Sequence, residues 1–205
     1  MVNEKLGEDH SAKMVISSIN FNEIRLLSEK EDWVKVSLII TDAARKLEAG
    51  GADFILLGAN TMHIVATEVE KAIGIPLLHI TDVVAEKIKE ANLDTVSLLG
   101  TRYTMNNSFF RDRLREHGIR AIVPDFHAGE LVNRAIYDEL AKGQINEESR
   151  QALIAIVDSL AGQGADGVIL GCTELPMLLQ ADHCPYPLFD TTHIHAKAAV
   201  EMALK

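Results

Sequence analysis

Gly164-Ala165-Asp166-Gly167-Val168-Ile169-Leu170-Gly171-Cys172-Thr173-Glu174 is the stretch that decides the fold. Its apolar centre is short, continuous and bounded by glycines, as a parallel strand covered on both faces should be. The chain carries an earlier echo, Gly51-Ala52-Asp53-Phe54-Ile55-Leu56-Leu57-Gly58-Ala59-Asn60-Thr61. Each copy is followed by a proline-led strand, Ile75-Pro76-Leu77-Leu78-His79 in one case and Tyr186-Pro187-Leu188-Phe189-Asp190 in the other. Two echoes in the same order indicate duplicated lobes facing a shared cleft.

Working outward, Met14-Val15-Ile16 and Val96-Ser97-Leu98-Leu99 read as further buried strands. Residues 34–49, 83–91, 106–117, 147–163 and 194–204 carry apolar residues at helical spacing. Strands alternating with helices predict an α/β fold of two Rossmann-like, pseudo-symmetric lobes with mostly parallel sheets. The expected division is residues 1–90 for the first lobe and 91–190 for the second. A C-terminal helix of about 191–205 is expected to pack back on the first lobe.

The chain has 205 residues, 47% of them hydrophobic, enough to bury a sizeable core. A formal net charge of -10 argues against nucleic acid or an anionic membrane as the main partner. A small anionic ligand stays open, because pocket charge is local. No apolar run approaches the ~20 residues of a membrane span. Met1 to His10 is polar and acidic, unlike a signal peptide. Two cysteines, Cys172 and Cys184, make no disulfide framework, so a reduced cytoplasmic enzyme is expected.

Cys172 is the first candidate for chemistry. It follows a strand directly, and the N-terminus of a following helix would favour its thiolate through dipole and free amides. The plainer reading is a small buried apolar residue. Cys184, in a loop before a strand, reads as structural. Gly100-Thr101-Arg102-Tyr103-Thr104 follows another strand, where hydroxyls and amides can hold a carboxylate. Helix capping by Thr104 or Asn106 is the competing reading. The histidines show no metal-ligand spacing, and no phosphate-binding glycine loop occurs.

Together, residues 60–63, 76–80, 99–105, 167–174 and 187–192 resemble the aspartate/glutamate racemase family, in order and through essentially the whole chain. The resemblance implies a homodimer acting on a small amino acid or dicarboxylate without pyridoxal phosphate or any other cofactor. It also implies two cysteines on opposite faces of the substrate Cα, one removing the proton while the other delivers one. Cys172 matches the second. Asn60, Thr61, Thr101, Arg102, Thr104, Thr173 and Glu174 match substrate-side positions, and Lys142 aligns loosely with a lysine that meets a distal carboxylate. A solvated lysine is the alternative there. The first cysteine is absent: the family register puts Gly58 at its position, whereas the internal echo alone pairs Cys172 with Ala59. Thr61, His63 or a water beside Gly58 could serve that face. The chain also opens at a point resembling the tail of the family's first helix, so a first lobe without its N-terminal strand is expected. A non-catalytic binding protein or a one-cysteine decarboxylase-like enzyme are the competing functions.

Overall fold

Three apolar stripes at helical spacing, Ile24-Leu27, Val36-Ile40-Ala44 and Ala66-Val69, build the first of two compact units. In the computed structural model, which describes residues 1–205, this unit comprises Met1–Leu57, Met62–His79 and Lys197–Lys205. Its helices are α1 (Val2–Leu6), α2 (Phe21–Glu29), α3 (Trp33–Ala49) and α4 (Ala66–Ala72). The side chains of Asn20 and Asp32 accept from the Asn22 and Lys35 N–H groups, capping α2 and α3.

Strand structure in this unit reduces to one parallel bridge, Ile55 with Leu77. The Ile55 N–H donates to the Pro76 carbonyl at 2.9 Å, and the Leu78 N–H to the Ile55 carbonyl at 2.9 Å. The four-residue strand expected at Phe54–Leu57 is therefore cut to a single pair. Met14-Val15-Ile16, expected as a buried strand, has no regular structure and stands 69, 69 and 76% exposed. An apolar run expresses a preference for burial but does not supply the neighbouring strand that a ladder needs, and nothing pairs with these residues.

The second unit comprises Gly58–Thr61 and Ile80–Ala196, so the main division falls at His79 and Ile80. Its strands are β1 (Thr95–Gly100), β2 (Arg120–Ile122), β3 (Val168–Gly171) and β4 (Leu188–Asp190), all parallel in the order β2-β1-β3-β4. Its helices are α5 (Ile80–Glu90), α6 (Arg102–Asn106), α7 (Phe109–Glu116), α8 (Phe126–Arg134), α9 (Glu147–Ala161), α10 (Leu175–Leu178) and α11 (Thr191–Ala203), the last running past the unit boundary. Side chains alternate between the faces of each strand. Val96, Leu98, Ile169 and Phe189 pack with Val84 and Ile88 of α5 and Phe110 and Leu114 of α7. Leu99, Val168 and Leu170 pack instead with Val132 of α8, Leu153, Val157 and Leu160 of α9 and Leu175 of α10. Each such fully buried side chain contributes about 1.5–3 kcal/mol relative to exposure. The result is a three-layer α/β/α sandwich. No helix of the chain is long and apolar enough to cross a membrane.

The duplication read from sequence is visible in the hydrogen bonding. Val168 pairs with Leu188 and donates its N–H to the Pro187 carbonyl at 2.9 Å, as Ile55 pairs with Leu77 and donates to Pro76. The helix expected over 106–117 is instead two, α6 and α7, because Asn107 is extended (φ -76°, ψ 151°). Asn106, Asn107 and Ser108 all have short polar side chains that compete for backbone partners, which favours a break.

Candidate active site

In a sheet ordered β2-β1-β3-β4, chain connections leave β1 and β3 in opposite directions. The crevice beyond their carboxyl ends is where open α/β sheets place ligands. Gly100 pairs with Gly171 there. A Cβ on Gly100 would lie 2.9 Å from the Gly171 carbonyl oxygen, and one on Gly171 would lie 2.9 Å from that of Leu99. Only glycine allows this approach. Thr101 and Cys172 therefore leave neighbouring strand ends at the same level.

The Cys172 side chain is only 7% exposed, and its thiol donates to Glu174 Oε2 at 3.0 Å. The Thr173 hydroxyl donates to the same carboxylate oxygen. Burial pushes the thiol up from an ordinary 9.0 to about 12, and the bond to Glu174 adds to the rise. The backbone N–H groups of Glu174 and Thr173 pull the other way and are outweighed. The expectation that local amides and a helix dipole favour the thiolate is thereby corrected. The following helix, α10, has only four residues, and burial dominates. Cys172 is a protonated thiol at neutral pH, with a carboxylate already placed to take its proton.

Beside it stands a group of hydroxyls. Thr61 Oγ1 lies 3.1 Å from Thr101 Oγ1 and 3.5 Å from Thr104 Oγ1, and the latter two are 3.3 Å apart. Thr101 is the N-cap of α6, accepting from the Thr104 N–H at 3.4 Å. Capping thus falls to Thr101 and not to Thr104 or Asn106. Asn60 is held by its Nδ2, which donates to Thr191 Oγ1 at 2.9 Å, and Thr191 in turn donates to the Leu170 carbonyl at 2.9 Å. Asn60 Oδ1 is buried without a hydrogen-bond partner. A buried acceptor left unmatched is costly, and a donor supplied by a ligand would relieve it.

Two expected site residues are turned elsewhere. The Arg102 guanidinium pairs with Glu130 at 3.1 Å, while its backbone N–H donates to Asn133 Oδ1 at 2.9 Å. Lys142 is 59% exposed and reaches Asp138 at 3.9 Å. His63, in the first unit, is buried with its ring edge-on to His79 at 4.6 Å between centroids. Gly58 is exposed, and a Cβ there would meet nothing within 4 Å. Counting forward from the matched bridges, Ile55 with Val168, makes Gly58 the counterpart of Gly171 and Ala59 the counterpart of Cys172.

Sequence reading missed Tyr137. It sits in a π-helical turn, Ala135–Glu139, that continues α8, and irregular turns of this kind recur at functional sites. Burial raises its phenol above 10.0, and electrostatic contact with Cys172, Tyr103 and Glu174 raises it further. No local pattern announces a π-turn, so no signal in the sequence could have placed it.

A buried thiol with its own carboxylate, at the switch point of a parallel sheet, is the layout of a thiol-dependent α/β enzyme. The Asp/Glu/Hydantoin racemase family profile matches residues 1–199, and the chain belongs to that family. It is therefore a racemase/isomerase of the kind that works without pyridoxal phosphate. It is 32% identical over 173 residues to the broad specificity amino-acid racemase RacX of Bacillus subtilis (strain 168), covering 84% of this chain and 74% of that protein. A candidate Asp/Glu racemase from Yersinia pestis is 46% identical with a TM-score of 0.93, covering 100% of this chain and 89% of that one. An aspartate racemase homologue from Pyrococcus horikoshii OT3 is 33% identical with a TM-score of 0.87, at the same coverage of both chains.

Proposed function

We propose that this protein exchanges and inverts the α-proton of a small amino acid, aspartate or glutamate in type, with Cys172 as its one thiol acid/base. The observation that carries the proposal is the Cys172–Glu174 bond at the strand-end crevice. An amino-acid α-proton is very weakly acidic, so the base must touch it and the developing charge must be met by positioned donors. Glu174 takes the thiol proton. The thiolate then removes the Cα proton, and the electron pair passes into the substrate carboxylate. The hydroxyls of Thr61, Thr101 and Thr104 are grouped as donors for that charge. Asn60 Oδ1, buried and unmatched, accepts from the substrate ammonium. Returning the proton from Cys172 restores the starting enantiomer. Delivery from water on the opposite face, in the space a thiol at position 58 or 59 would fill, gives inversion; Glu174 then gives up the proton it took, through solvent, to neutralise the hydroxide, and Cys172 is left as the thiol.

The test is incubation with L- and D-aspartate and glutamate in D2O, following loss of the Cα–H signal and chirality together. Fast exchange with retention is expected from the enantiomer whose Cα–H faces Cys172, with slower inversion from both, and Cys172→Ala should abolish exchange and inversion alike. Exchange that survives Cys172→Ala would remove this site from the reaction. A one-sided reaction also fits the single thiol: exchange from one enantiomer with full retention would favour it over racemisation.

A further inference from the structure

The second unit has another polar cavity at the opposite end of its sheet. It opens where β2 begins, whereas the thiol lies beyond the carboxyl ends of β1 and β3. Its volume is about 270 Å³, and it is lined by Arg111, Arg115, Gly118, Ile119, Arg120 and Ala121. Three arginines and no acidic residue line one small space, with the Asp112 carboxylate beside two of them, in a chain whose net charge is -10. Each arginine has a different standing. Arg115, exposed near the end of α7, pairs with Asp112 at 2.6 Å. Arg120, exposed at the start of β2, has no ion-pair partner. Arg111 donates through one terminal nitrogen to the Asn106 carbonyl at 3.3 Å, but its Nε is buried with no acceptor.

Helix electrostatics account for only part of this arrangement. A cation in the last turn of a helix is favoured by the dipole, which suits Arg115. Arg111 lies in the first turn of α7, where the dipole disfavours it, and Arg120 is on a strand. A buried guanidinium nitrogen without an acceptor asks for one from outside the chain. Planar guanidinium forks match phosphate and carboxylate oxygens, and several together favour the more highly charged phosphoryl group. The volume falls below the roughly 300 Å³ at which drug-sized clefts begin, so a nucleotide is too large.

We propose that this cavity binds a small phosphoryl anion, either free phosphate or the phosphate of a small ester. Calorimetric titration with inorganic phosphate and, separately, glycerol phosphate tests it, with ionic strength held constant by sodium chloride. Saturable binding of at least one is expected, with Arg111→Gln and Arg120→Gln each weakening it at least about tenfold. Arg45→Gln, in the first unit, should leave it unchanged. Tighter binding of phosphate would assign the free anion, and tighter binding of the ester an esterified ligand. Arg120 is exposed, so its variant keeps the test decisive even where Arg111→Gln fails to fold. No saturation by about 10 mM of either probe, or unchanged affinity in Arg120→Gln, would overturn the assignment.

Discussion

Replacing Glu174 with Gln separates the two effects that this carboxylate has on Cys172. The thiol stands at about 12, lifted first by burial and next by its bond to Glu174. Gln keeps the shape and one acceptor oxygen but removes the charge. A hydrogen bond to a charged group is worth about 1.5–3 kcal/mol, against about 0.5–1.5 for a neutral one. The difference of roughly 1–1.5 kcal/mol is about a tenfold gain in thiolate at fixed pH. Thiolate nucleophilicity falls as its basicity falls, with a slope of about 0.4–0.5. Iodoacetamide should therefore label Cys172 only about threefold faster in Glu174→Gln. Burial persists, so the pH midpoint of labelling stays well above the ordinary 9.0. Peptide mass spectrometry reads this at Cys172, with Cys184 as the internal reference. Cα–H exchange should move in the opposite direction, slowing by about 10²–10⁴-fold, because Gln cannot hold the thiol proton. If labelling does not speed up, the bond to Glu174 is not what holds the proton on sulfur. If exchange does not slow, Glu174 is not its acceptor.

Ala59→Cys should raise inversion by about 10²–10⁴-fold if the bridge register marks the partner of Cys172, while Gly58→Cys should leave it near the starting rate; chiral chromatography of the product distinguishes them. The reverse outcome would assign that role to Gly58. Thr191→Val removes the acceptor of Asn60 and the donor to Leu170, and should cost about 1–3 kcal/mol in denaturant unfolding. Ile16→Lys should change stability by less than about 0.5 kcal/mol, because residue 16 is exposed; a loss of several kcal/mol would mean that the segment is buried after all. Because Cys172 holds its proton more tightly folded than unfolded, its contribution to stability is intact below about pH 9 and fades as pH rises through about 12. Cys172→Ser should therefore make the alkaline fall in stability, followed by denaturant midpoint, less steep.

The second unit was legible because its strands carry their own proof of burial. Val96 to Leu99 and Val168 to Leu170 are apolar on both faces, and both faces are covered. The same criterion failed at Met14-Val15-Ile16, which has the composition of a strand and no strand to pair with. It half failed at Phe54 to Leu57, where one bridge survives. Pairing is a property of two segments, and a local pattern describes one. The break between α6 and α7 lay in view at Asn106-Asn107-Ser108, but the apolar spacing of Phe109, Phe110 and Leu114 concealed it. Strand β2, only three residues long, offered too little periodicity to read.

At the site, sequence located the groups but not their protonation. Cys172, Thr173 and Glu174 are neighbours in the chain, so their meeting was never in doubt. Whether the thiol would be acidic or basic depended on two opposed quantities, amide donation and loss of water. Donation can be guessed from a strand end, whereas desolvation depends on how the surrounding core, which includes Ile136, Leu170 and Leu175, packs around the sulfur, and that is tertiary. The outcome bears on which half of the reaction is hard. A thiol held near 12 delivers a proton reluctantly at neutral pH, but its thiolate, once formed, is a strong base towards Cα–H. On the proposed mechanism Glu174, 3.0 Å from the sulfur, takes the proton as the thiolate forms. On the proposed mechanism the opposite face, at Gly58 or Ala59, has no comparable pair, and reprotonation there draws on water. On that mechanism exchange should outrun inversion for the enantiomer that faces Cys172, and a second thiol should speed inversion in both directions.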